Sequence, residues 1–139
     1  MAATVQPALD ASAHWSAIKA LLADTVGDDV YDYGKVPGAD GNPGTLPTAF
    51  VMLSVDRRFI PSGWLSGRTS ATGWRVFCHH VGNTAPNART VGNWVTAALN
   101  EARITVDGIA STPITHETTD PVAVDDGMFS GQSTWTYAL

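Results

Sequence analysis

The sequence predicts an α+β fold: a mainly antiparallel β-sheet with two α-helices packed on one face. Three observations predict it. Two stretches, residues 7–24 and 86–100, carry apolar side chains at helical spacing. Two others, residues 49–56 and 74–81, alternate side by side as strands do. The order is helix, strands, helix, strands, with one strand–helix–strand unit, too few for a doubly wound parallel sheet. Helices gathered on one face of an antiparallel sheet satisfy this order.

The elements follow in turn. In the first helix Trp15, Ile18 and Leu22 form a stripe that Leu21 widens, while Asp10, Ser12, Ser16 and Lys19 lie off it. Gly27 is a suitable stop, and a short strand is expected over residues 30–33. Residues 34–47 hold Pro37, Gly38, Gly41, Pro43, Gly44 and Pro47, a loop without regular period and long enough to suggest a purpose. In the strand over 49–56, Val51, Leu53 and Val55 point one way and Phe50, Met52 and Ser54 the other. Residues 57–73 read as irregular. In the strand over 74–81, Trp74, Val76 and Cys78 oppose Arg75, Phe77 and His79. Gly82-Asn83-Thr84 turns the chain, and Pro86 suits the first turn of a helix whose stripe is Ala88, Val91, Val95, Ala98 and Leu99. Strands are expected over 103–107 and 133–139, and one more within 113–121.

With 139 residues the chain is expected to be a single domain, residues 1–139, burying roughly two-thirds of its unfolded surface. Thirteen Gly and eight Pro favour short elements, which excludes a coiled coil, a helical repeat and a collagen-like chain. The net charge of −5, with eight Lys and Arg dispersed along the chain, argues against nucleic-acid and membrane-surface binding, both of which need a basic patch. Cys78 stands alone, so no intrachain disulfide forms. The first residues lack a basic, then apolar, leader pattern, and the apolar run at 49–53 is too short to span a bilayer. The chain is expected in the cytoplasm where it is made, unless it leaves by another route.

Site chemistry is sparse. His79 and His80 are neighbours on a strand, so they point to opposite faces and cannot share an ion. Cys78 and His80 share a face, and His116 is a third candidate, but the spacing is not that of a zinc site; a strand thiol and surface imidazoles are the simpler reading. His14 reads as a solvated helix residue. There is no Gly-x-Ser-x-Gly elbow. Asp28-Asp29 and Asp125-Asp126 sit beside glycines and read as turn chemistry. Asp40-Gly41-Asn42 lacks the alternating acids of a calcium loop, and the glycines at 38–44 lack the Lys-Ser/Thr of a phosphate loop. No catalytic residue, metal ligand or cofactor is expected.

The irregular segment is different. Phe59, Ile60, Trp64 and Leu65 lie there, framed by Arg57, Arg58 and Arg68, a composition enriched at protein–protein interfaces. Such a loop either packs on its own domain or meets a partner. Burying two of these apolar side chains contributes about 3–6 kcal/mol before ordering costs.

Taken along its length, the chain resembles the tail terminator proteins of long-tailed phages with non-contractile tails, in the actinobacteriophage version. The resemblance runs through Ile18-Lys19-Ala20-Leu21-Leu22, Val30-Tyr31-Asp32, Leu46-Pro47, Val55-Asp56 and Leu65-Ser66-Gly67-Arg68. It continues through residues 74–77 into His80-Val81-Gly82, then Ala88-Arg89, Val95 and Ala98-Leu99. It ends with residues 103–108, Pro121-Val122, Asp125 and Tyr137; the loop over 34–47 is long for the family, and residues 127–132 match no pattern. The resemblance implies a non-enzymatic α+β virion protein, assembled in the host cytoplasm. It would form a homomeric ring, usually hexameric, that caps the tail tube at the head–tail junction. Its partners would be the major tail tube protein and the head–tail stopper or connector. The genome would pass through the lumen without sequence-specific contact or membrane involvement. Arg57, Arg58, Phe59, Ile60, Trp64, Leu65 and Arg68 are the expected subunit or tube contacts. Two other readings remain: a stopper or other neck ring protein of the same junction, and a small cytoplasmic enzyme or ligand-binding domain.

Overall fold

A computed structural model of the chain describes residues 7–58 and 72–139. The first helical stretch divides at Asp10, whose extended backbone caps a helix start and whose carboxylate accepts from the Ser12 amide at 2.9 Å. A 3₁₀ turn, Pro7–Leu9, therefore precedes α1, Ala11–Ala23, instead of one helix over 7–24. α1 buries His14, Ile18 and Leu22, successive positions four apart. α2, Ala85–Leu99, is capped by the Thr84 hydroxyl, which accepts from the Asn87 amide at 3.2 Å, and it buries Ala88, Val91, Val95 and Leu99.

The expected α+β architecture is present. β1 (Val30–Tyr31) pairs parallel with β2 (Ala49–Arg58), and β2 pairs antiparallel with β3 (Gly73–Gly82). Arg57 and Arg58 are therefore strand residues, not the start of an irregular segment: their backbones stay in register with Trp74 and Gly73. β3 pairs with β7 (Met128–Ala138), and β7 with β6 (Thr115–Asp125), giving the order β1-β2-β3-β7-β6. The hairpin between β6 and β7 turns at Asp126 and Gly127, with φ of 48° and 79°, the left-handed pair that a tight hairpin needs. The strand expected over 103–107 shrinks to β4 (Thr105–Val106), which pairs with β5 (Ile109–Ala110) in a separate ribbon.

Both helices pack on one face of the main sheet. Val51, Leu53, Val55, Trp74, Val76, Cys78, Trp135 and Tyr137 meet Ile18, Leu22, Val91, Val95 and Leu99 in the main core. The loop over 34–47 has its place on the other face. There Val36 forms a second buried cluster with Phe50 and Val81, flanked by Tyr31, Met52 and Met128. The Asn42 side chain pins this loop by donating to the Gly34 and Val36 carbonyls, at 2.8 and 3.0 Å.

Candidate functional site

The sheet has two unlike ends. At one end β2 finishes with Arg57 on the helix face and Arg58 on the other. The Arg57 guanidinium donates to the Leu9 carbonyl at 3.2 Å and lies 6.0 Å from the Trp74 ring centre. Arg58 lines a shallow hollow with Thr112, Pro113, Thr136 and Tyr137. Phe59, Ile60, Trp64, Leu65 and Arg68 lie outside the described residues. At the opposite end the 34–47 loop and the hairpin tip enclose a hollow of about 560 Å³, walled by Val36, Leu46, Phe50 and Met128. Asp40 and Asp126 stand at its edge. Between the two ends, on the same open face, Arg75 makes a two-pronged ion pair with Glu117, at 2.9 and 3.0 Å.

The histidines separate as strand geometry requires. His79, on the open face, meets the Tyr33 hydroxyl at 3.2 Å. His80 faces α2, and His116 packs edge-on against Trp135, their ring centres 5.0 Å apart. Among the described residues no three His, Cys, Asp or Glu side chains gather closely enough to hold a metal ion. Burial pushes the Cys78 thiol up to about 12, which keeps it protonated and non-nucleophilic.

His14 corrects the sequence reading: it is fully buried, not solvated. Its ring stacks on Trp74 with centres 3.7 Å apart. Nε2 lies 2.8 Å from the Ala8 carbonyl, which only accepts, so the ring proton sits on Nε2. Nδ1 then accepts from the Tyr137 hydroxyl at 2.6 Å. Burial lowers the His14 pKa and raises that of Tyr137, consistent with a neutral ring and a protonated phenol.

A third feature was not visible in the sequence. Between α2 and β6 lies a cleft of about 450 Å³. Arg89, Asn93 and Thr96 line its helix wall, Thr119, Asp120 and Val122 its strand wall, and His80 and Ser133 its floor. His80 is 4% exposed, and its Nδ1 has no hydrogen-bond partner among the described residues. Two glycines make room for the ring: a Cβ on Gly92 would lie 3.2 Å from His80 Cε1, and one on Gly131 only 2.6 Å away. Burial, with His79 alongside, lowers the His80 pKa. The β6 ladder shifts register between Asp120 and Ala123, and that irregularity, at Pro121, forms the strand-side rim. The only sequence signal is Arg89, Asn93 and Thr96 recurring on one side of α2, a pattern that ordinarily marks a solvated helix face.

No family model and no curated protein matches the chain. Among solved structures, a chain from the virion of a native gene transfer agent particle superposes with a TM-score of 0.64. The match covers 89% of this chain and 92% of that one, at 18% sequence identity. A second solved chain superposes with a TM-score of 0.56 over 88% of this chain and 93% of its own, at 14% identity. At these identities what is shared is the fold, over nearly the full length of each chain.

Proposed function

We propose that the chain is a structural protein of a phage-type particle, a tail terminator that forms a ring at the junction of tail tube and head. The observation that carries this reading is the fold shared, across about nine-tenths of both chains, with a component of a gene transfer agent virion. The residue resemblance to tail terminators, distributed from the first helix to the last strand, supports the finer assignment. The internal chemistry agrees with a structural role: the buried thiol is held protonated, and His14 is consumed in a core network with Trp74 and Tyr137.

The unlike ends of the sheet supply a means of assembly. Arg57 and Arg58 at one end, with the apolar segment that follows them, complement the hollow at the other end, edged by Asp40 and Asp126. A contact between unlike patches is heterologous, and when its rotation closes it generates a ring. In this reading six copies close around a lumen wide enough for the genome, with the tube protein below and the stopper above. Purified chain mixed with the tail tube protein of its own particle should yield rings on tube ends in negative-stain images. A chain that stays monomeric beside capped or uncapped tubes alike would contradict the assignment.

A further inference from the structure

β2 outruns its outer partner. β1 pairs with it only at Val51 and Met52, so the later part of β2 has no strand on its outer side among the described residues. Alternate residues turn their backbone groups to that side. The Val51 amide donates to the Asp29 carbonyl at 2.9 Å, and the Leu53 carbonyl accepts from the Trp15 indole at 2.8 Å. Val55 and Arg57 follow in the same alternation, and no group among the described residues meets their outward amides and carbonyls. Val55 is 5% exposed, too little to hydrate both of its groups, so they call for a partner. Beside this edge lies a hollow of about 300 Å³, lined by Ser12, Ser16, Asp32, Ser54 and Asp56.

We propose that residues 1–6 of the same chain occupy this edge as an extended strand paired with Val55 and Arg57. They lie outside the described residues and join them at the Pro7–Leu9 turn. That turn sits beside the edge, because the Leu9 carbonyl accepts from the Arg57 guanidinium at 3.2 Å. Six extended residues span about 20 Å, and the two-residue step from Val55 to Arg57 needs only about 7 Å. Gln6 precedes Pro7, which favours extended backbone, and Thr4 and Val5 are β-branched. Residues 1–6 include no Asp or Glu side chain for Asp32 and Asp56 to repel. The added strand closes an edge that would otherwise be open to pairing with foreign chains.

The test uses the full chain, isotopically labelled, with backbone contacts and amide exchange followed by NMR. The proposal expects cross-strand contacts between residues 2–6 and Val55 or Arg57, with both of those amides protected from exchange. Thr4→Pro and Val5→Pro each remove one amide, and strand alternation turns one of the two towards β2. At least one variant should speed exchange at Val55 and Arg57 about tenfold or more. Val51, whose amide is held by Asp29, should be unchanged in both. Free exchange at Val55 and Arg57 in the unaltered chain would overturn the proposal. So would protection that survives in both variants, which would give the edge to residues 59–71 or to another molecule. A sample mixing labelled and unlabelled chains separates the remaining case: contacts found only between copies would assign the edge to a second copy and overturn pairing within one chain. None of these readouts depends on whether the chain forms rings.

Discussion

His14 shows how one side chain can be misjudged when its neighbours in space are far away in sequence. It lies one turn before Ile18 on the buried stripe, yet as a polar residue near a helix start it reads as solvated. What makes it a core residue is Trp74 beneath it and Tyr137 beside it, both brought in by strands from later in the chain. His14→Ala removes the stack and leaves the Tyr137 hydroxyl and the Ala8 carbonyl unpaired. It should cost about 2–4 kcal/mol, read from the urea unfolding midpoint. The two buried histidines also set a pH dependence. Burial lowers the folded-state pKa of His14 and His80 below the ordinary 6.5, so the unfolded chain takes up their protons first. Stability from this source is complete above pH 6.5 and declines as the pH falls below it. The urea midpoint should drop between pH 7.5 and 5.5, and a flat or rising midpoint would contradict the neutral-ring assignment.

At the scale of elements, what the sequence revealed and what it hid have a common cause. β2, β3 and α2 were legible because each carries one apolar face that is buried along its length, although Phe50 and Val81 on the other face of β2 and β3 are buried too, in the second cluster. β7 was legible only from Ser133 onward. Its first residues lose the pattern because Gly131, on the helix face, has given up its side chain to make room for His80. β6, expected within 113–121, runs on to Asp125. Its bounds were hard to read because as the outer strand of the sheet it is exposed along much of its length and broken in register near Pro121, so neither face writes an apolar alternation. The loop over 34–47 announced itself by length and glycine content, but nothing in it says which face of the sheet it covers. The cleft was illegible because it is made of residues from β3, α2, β6 and β7 that are each ordinary alone. Gly131→Ala tests the packing directly. Its new Cβ would meet the imidazole at 2.6 Å and the Asp120 carbonyl at 3.2 Å, and the substitution should cost about 1–3 kcal/mol and disturb the His80 ring signals.

At the scale of the whole molecule, the central feature is a sheet with a cationic end and an acidic-edged hollow at the other, in a chain whose net charge is −5. In a ring each copy would present the first to the second of its neighbour. Arg57→Glu together with Arg58→Glu should leave the monomer folded, since both residues are exposed, but reduce ring formation at least tenfold by light scattering. Rings at wild-type levels in that variant would remove these arginines from the interface. The most direct measurement is cryo-electron microscopy of the particle that carries this chain. The account predicts a closed ring of this fold, six copies around the tube axis, between the last tube layer and the head. Density for the chain at the distal tail tip alone, or none of it in the particle, would contradict the account.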